Sequence, residues 1–154
     1  MGKGTVVAIC IAPAAGAPLR KVPNVLALAG RGLEGDRYAS GNGSFNKGAP
    51  GKRQVTLMNH LFCKETGYSL PEMRRNIFTR DVELMWLIGR EFTIGEATFR
   101  GVKYCDPCER PKNLAGSPVS FQQKFFDRGG LVAEVVVGGL IRVGDAVIPP
   151  PKGY

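Results

Sequence analysis

Leu131-Val-Ala-Glu-Val-Val-Val-Gly-Gly-Leu-Ile-Arg-Val-Gly-Asp-Ala-Val-Ile148 is the stretch that decides how this chain folds. Three short runs of aliphatic residues, 131–137, 140–143 and 146–148, are separated by Gly138-Gly139 and Gly144-Asp145. Apolar runs of this length between glycines read as strands, not as a helix. Gly-Gly and Gly-Asp also suit the tight turns of hairpins. The stretch therefore predicts a meander of consecutive hairpins, which curls readily into a barrel or folded sheet.

Working outward, the same punctuation marks strands at 5–12, 25–29, 53–58, 91–94 and 97–101. Helical signals are fewer. Asn59 can cap a helix from His60 to about Thr66 that stops at Gly67. Ser117 and Pro118 open a second, with Phe121 and Phe125 on one face and Gly129 at its end. Residues 71–75 fit one further turn. The 154 residues include 21 glycines and 11 prolines with no repeating period, which favours tight turns over a helical bundle. With no internal repeat and no linker, one domain over 1–154 is expected. Residues 39–52 form a long glycine-rich loop. Gly43 and Gly48 have the first spacing of a phosphate loop, but Ala49-Pro50 stand where that motif needs Lys and then Ser or Thr. Such a loop serves as a lid or binding loop, or stays disordered.

Lysine plus arginine number 21 against 13 acidic residues, a formal net charge of +8. That surplus draws anionic partners: nucleic acid, an acidic membrane surface or a phosphorylated cofactor, unless it is simply a solvated basic surface. Aromatic residues do not alternate with the basic ones as a base-stacking platform requires, which counts against nucleic acid. No run approaches the ~20 apolar residues of a membrane span. The apolar run after Lys3 is short and broken by Pro13, so it reads as a first strand and not as a signal peptide. A cytoplasmic protein with reduced cysteines is expected. Of Cys10, Cys63, Cys105 and Cys108, the first lies in an apolar run and reads as a small buried hydrophobe.

The chemistry centres on Tyr104-Cys105-Asp106-Pro107-Cys108-Glu109-Arg110. Two thiols two residues apart suit half of a zinc site, a redox pair, or a nucleophilic sulfur with a neighbour. Zinc needs four ligands, and only His60 and Cys63, three apart on a predicted helix, are at hand to complete the set. A thioredoxin-like pair should open a helix in a βαβ unit, whereas Arg110-Pro111 follows here within an apparently all-β stretch. A thiolate that carries sulfur or binds a soft metal is the third reading. Lys103 and Arg110 would lower the pKa of Cys108, while Asp106 and Glu109 oppose them. Separately, Arg74-Arg75-Asn76 supplies forked donors suited to phosphate or carboxylate, though a paired arginine is also common on plain surface. Residues 31–37 place glycines around a charged pair, as in a tight turn held by Asp36. Asp127-Arg128-Gly129-Gly130 reads as a helix end with a well-placed cation.

Taken in order, Gly32-Leu-Glu-Gly-Asp-Arg37, Arg53-Gln-Val-Thr-Leu57, Arg74-Arg-Asn-Ile77 with Thr79-Arg-Asp-Val82, Leu87-Ile-Gly89, Cys105-Asp-Pro-Cys108, Arg128-Gly-Gly130 and Gly144-Asp145 form a recognisable set. The set resembles the stand-alone bacterial MOSC proteins, relatives of the C-terminal domain of molybdenum-cofactor sulfurase, and spans residues 30–148. The resemblance implies a mainly β fold, a MOSC-type barrel related to the pyruvate kinase barrel domain, with a few short helices. It implies a role in handling sulfur or the molybdenum cofactor (molybdopterin). In that family a cysteine of this late segment carries a persulfide sulfur or ligates molybdenum. Cys108 matches the family's Pro-Cys pattern and Cys105 is the second candidate. The Arg-x-Asn pattern of the amidoxime-reducing relatives contacts the pterin, and Arg74 and Asn76 match it, with Arg75 completing the anion patch. Arg128 and the Gly35-Asp36 turn carry over as further cofactor-binding positions. The chain holds neither the pyridoxal-phosphate domain of the full sulfurase nor a flavin or iron–sulfur module. Its expected partners are therefore a cysteine desulfurase or other sulfur donor, and a molybdoenzyme or reductase as acceptor. Where many relatives carry an acidic residue after the Val-Thr-Leu strand, this chain has Asn59-His60. Two rival readings remain open: a non-catalytic barrel binding nucleic acid or anions, and a small zinc-binding domain.

Overall fold

The computed structural model describes residues 3–41, 51–64 and 66–151. Most of the glycine-rich loop, 42–50, lies outside the described residues, as does residue 65 in the first expected helix. Among the described residues eleven strands carry the fold: β1 (Gly4–Ile11), β2 (Arg20–Val22), β3 (Asn24–Leu28), β4 (Gly32–Leu33), β5 (Val55–Asn59), β6 (Ile77–Arg80), β7 (Glu91–Ile94), β8 (Ala97–Tyr104), β9 (Leu131–Val137), β10 (Gly139–Arg142) and β11 (Ala146–Ile148). The helices are short: α1 (Arg110–Ala115), α2 (Phe121–Lys124) and three 3-10 turns at His60–Cys63, Pro71–Met73 and Leu84–Leu87. No helix among the described residues is long and apolar enough to cross a membrane.

The main sheet runs β11-β7-β8-β9-β5-β6-β1-β2, and β11 also pairs with β1 through Gly4 opposite Val147 and Thr5 opposite Ala146. That last pairing closes the sheet into a barrel, leaving β2 as an outside strand on β1. All neighbours are antiparallel except β5 and β6, which run parallel. A register shift between Val6 and Ala8 bends β1 where it must serve both β6 and β11. A second small sheet, β10-β3-β4, lies beside the barrel.

Alternation along the strands builds two cores. Ile9, Leu57 and Ile77 point into the barrel with Phe92, Phe99 and Leu131. Their sequence neighbours Cys10, Met58 and Phe78 point the other way, under Tyr68, Met73, Phe121 and Phe125. Strands β1, β5 and β6 are thus covered on both faces, which is why four successive residues of β5 are buried. Phe121 and Phe125 share one face as expected, with ring centroids 4.5 Å apart. The deeply buried Cys10 is a small hydrophobe as read, its thiol pushed up to about 11 by burial against a weaker opposing effect of Lys21.

Four expectations are corrected. The last third is not a meander: β9 pairs with β8 and β5, β10 with β3, and β11 with β7 and β1. The glycines between β9 and β10 serve close crossings instead of a hairpin. A Cβ on Gly138 would sit 2.8 Å from the Ala27 carbonyl oxygen, and one on Gly139 would sit 2.5 Å from that of Glu96. The stretch after Cys108 is not all-β, because Pro111 near the start of α1 favours a helical turn that Gly116 ends in the left-handed region. The second expected helix starts late. Ser120, not Ser117, caps it by accepting from the Gln123 amide, while Ser117 accepts from Val119 in a turn of its own. The first expected helix is a single 3-10 turn, with Asn59 capping it through the Leu61 amide.

Candidate functional site

The segment that follows β8 is held at both ends. At its start, the Cys105 amide donates to the Gly130 carbonyl at 2.9 Å. Gly129 packs so closely here that a Cβ would lie 2.0 Å from the Cys105 carbonyl oxygen and 2.9 Å from Cδ of Pro107. The Arg-Gly-Gly motif is therefore a backbone docking device. Cys105 is fully buried, and its sulfur accepts from Nη2 of Arg53 at 3.6 Å. At the far end, the Glu109 carboxylate accepts from the Ser120 hydroxyl at 2.9 Å and from the Gln122 amide at 2.8 Å. The Gln122 amide, helped by Ser120, holds the Glu109 carboxyl below the usual carboxylate range. Between these anchors Pro107 is buried and Cys108 is exposed.

The facing wall comes from the turn before β6. Arg74 ends the 3-10 turn Pro71–Met73 in the left-handed region, at φ 61°, a conformation costly for a residue with a Cβ. It donates from Nη1 to the Ala17 carbonyl at 2.9 Å. Burial, then the nearby Arg37 and Arg110, lowers its guanidinium from the usual arginine value to about 10. That direction records first the removal of the charge from water and second the neighbouring cations. Arg75 is buried, with Nε donating to the Gly129 carbonyl at 2.8 Å and Nη1 to that of Met73 at 3.4 Å. Its Nη2 has no hydrogen-bond partner among the described residues. Such a buried orphan is costly unless something outside the chain satisfies it.

These two walls enclose a cavity of about 230 Å³ lined by Arg37, Arg53, Arg74, Arg75, Lys103 and Arg110, with Tyr38, Cys108 and the single carboxylate Asp106. Among the described residues, six cations face one acid. Some are fixed in place. Nη1 of Arg37 donates to Asp36 at 3.1 Å, and the same Asp36 oxygen accepts from the Ala12 amide at 3.0 Å. The Tyr38 hydroxyl accepts from Arg37 Nη2 at 3.0 Å and from Arg53 Nε at 3.3 Å. Chemically, the site can hold a compact, highly charged anion beside an accessible thiol.

The expected residues therefore separate into two groups. Cys108, Arg74 and Arg75 come together in the cavity, although some thirty residues part them in sequence. The rest do not line it. Asn76 is fully buried and faces the protein: Oδ1 accepts from the Thr56 amide at 3.0 Å and hydroxyl at 3.2 Å, and Nδ2 donates to the Cys10 carbonyl at 3.1 Å. It ties β6 to β1 and β5, and its side chain is spent on the frame behind the cavity and not on the cavity's lining. Arg128 is exposed and stacks 4.7 Å over the Phe62 ring. Gly35 supplies the positive φ of a turn, and Asp36 positions Arg37 from underneath. Cys105 sits behind Arg53. Conversely, Arg37, Tyr38 and Arg53 were not singled out in the sequence. Arg37 and Arg53 lay inside recognised motifs, but nothing in the spacing marked them as cavity-facing. For zinc, no group of three or more His, Cys, Asp or Glu comes together among the described residues. Cys63 is buried, its thiol pushed up to about 12 by burial against a weaker effect of Arg75.

The family description MOSC domain matches residues 53–148. No curated protein matches the chain by sequence. Among solved structures, the chain is similar to the YuaD protein from Bacillus subtilis, at 17% identity and TM-score 0.78, over 95% of this chain and 94% of that one. YiiM from Escherichia coli is similar at 14% identity and TM-score 0.68, over 100% of this chain and 72% of that one. YiiM from Geobacillus stearothermophilus is similar at 13% identity and TM-score 0.67, over 98% and 77% respectively. At these identities the likeness speaks for the barrel fold.

Proposed function

Since this chain belongs to the MOSC domain family, we propose that it binds the molybdenum cofactor in the cationic cavity and uses Cys108 as the sulfur that ligates or supplies its metal. The family is associated with molybdenum-cofactor sulfurase-like function. The observation that carries the reading is the orphaned Nη2 of buried Arg75, in the wall of the cavity that Cys108 also lines. A pterin phosphate meets that need, because forked guanidinium donors match phosphate oxygens. Arg37, Arg74 and Arg75 are the residues that would hold it. When bound, the cofactor supplies a redox-active metal with an affinity for soft sulfur ligands.

Cys108 is exposed, and its loop is braced by Glu109, so a donor protein can reach it without unfolding the site. In a sulfur-transfer step, the Cys108 thiolate attacks the terminal sulfur of a donor persulfide. The donor's S–S bond breaks, its thiolate leaves with the electron pair, and Cys108 becomes the persulfide. This sulfurtransferase-like step needs a cysteine desulfurase or similar donor, and the acceptor would be a molybdoenzyme or reductase. The exposed free thiol suits a reducing compartment, the cytoplasm.

Two measurements test the reading. Protein incubated with a cysteine desulfurase and cysteine should gain one sulfur on the peptide carrying Cys108, as read by mass spectrometry. Equal gain in C108A would exclude Cys108 as carrier. Protein purified from cells that make the cofactor should retain molybdenum and pterin, and R75M should lose both. If the native chain carries neither, the cofactor reading fails.

A further inference from the structure

A second unspent hydrogen belongs to another residue of the cavity lining. The Tyr38 side chain is 3% exposed and lines the cavity. A phenol has one hydrogen to give and an oxygen that can accept. Nη2 of Arg37 reaches that oxygen at 3.0 Å and Nε of Arg53 at 3.3 Å. Guanidinium groups only donate, so both bonds use the acceptor side of the hydroxyl. The Arg37 guanidinium also lies 4.3 Å from the ring centroid, and that of Arg53 5.6 Å, which fixes the ring between two cations. Tyr38 is thus locked as a donor. No described residue accepts its hydrogen.

We infer that the Tyr38 hydroxyl is a specificity-determining contact, donating its hydrogen bond to an oxyanion, a phosphate oxygen, of the ligand bound beside Cys108. The inference rests on the anion-binding reading of the cavity and adds a neutral, directional donor to it. The arginines confer attraction for any anion. A hydroxyl with its acceptor side occupied demands an acceptor atom at one place, so the position it serves takes oxyanions and rejects ammonium groups and other pure donors. The two guanidiniums on its oxygen also polarise the O–H bond, which strengthens the bond it can give. Tyr38 therefore adds a directed hydrogen bond, oriented by Arg37 and Arg53, to the charge that the arginines supply.

Inorganic phosphate is the probe. The whole protein, labelled with ¹³C at the tyrosine ζ carbon, is titrated with phosphate and, in parallel, with chloride at matched ionic strength. Resonances are assigned from single Tyr→Phe variants at Tyr68, Tyr104 and Tyr154. The Tyr38 signal should move saturably with phosphate and stay still with chloride, and its curve should give the same Kd as calorimetry. In Y38F, which keeps the ring, phosphate affinity should fall by about tenfold or more, the scale of a lost hydrogen bond to a charged group. The wild-type titration stands even if Y38F folds poorly. If phosphate binds while the Tyr38 signal stays fixed and Y38F binds equally well, the inference is wrong and the anion site survives. If phosphate does not bind the wild-type protein, the anion site and the inference fall together.

Discussion

Two basic depressions among the described residues hold their charge in different ways. The first is the 230 Å³ cavity of Cys108, whose Arg37, Arg74 and Arg75 are buried and tied to backbone carbonyls or to Asp36. The second, about 560 Å³, lies by His60, Lys64 and Arg80 on the far ends of β1 and β5. Its cations are solvated: Lys64 is exposed, and Arg80 reaches Asp81 at 3.9 Å with both side chains in water. The larger depression holds the less committed charge. Organisation, meaning burial with donors left unsatisfied, separates a site from a basic surface more sharply than volume or charge.

The strongest way to break that contrast is to remove the thiol. C108A should abolish sulfur uptake. In the native wild-type protein, iodoacetamide at neutral pH should label Cys108 and spare Cys10 and Cys63 until denaturant is added, as mapped by peptide mass spectrometry. Next comes the frame behind the cavity. Asn76→Ala leaves the Thr56 amide and the Cys10 carbonyl without their side-chain partner, and should cost about 2–4 kcal/mol in urea unfolding. Phosphate affinity of the folded fraction should stay within about twofold, since no atom of Asn76 would touch a ligand. Comparing the two depressions directly, R75M should weaken phosphate binding by about tenfold, while R80M should change it by less than about twofold in the same titration. Equal losses would erase the distinction.

The smallest expected effect is in acid. Because the Gln122 amide first and Ser120 second hold the Glu109 carboxyl low, the folded state favours the charged form. The stability so contributed is complete above the ordinary glutamate range and is lost as pH falls through the lowered folded value. The protection of the Gln122 amide against exchange, taken relative to its intrinsic rate at each pH and followed by NMR, should therefore fall below the ordinary glutamate range, and E109Q should remove that step.

What could be read from the sequence follows from range. Local rules found the β8 and β9 strands, the turn at residues 71–73 and the Asn59 cap, because each is decided within a few residues. The ordered motifs brought Cys108 and the arginine pair into one proposal. Pairing was not legible. Glycine pairs that fit a hairpin are equally required where one backbone crosses another, and only the partner at Ala27 or Glu96 distinguishes the two cases. The inward bonding of Asn76 was not legible for a related reason: a side chain rich in donors and acceptors suits a ligand or a buried backbone, and its sequence neighbours are the same in both. Tyr38 carried no signal, since its role exists only when residues 37 and 53 meet on one oxygen.

The seam between β1 and β11 has a consequence for biosynthesis. The strand made first must wait for one of the last, because Gly4 and Thr5 find Val147 and Ala146 only after nearly the whole barrel has left the ribosome. Until then the nascent chain carries an unzipped edge, so the ring is expected to shut late and slowly, as distant pairings generally do.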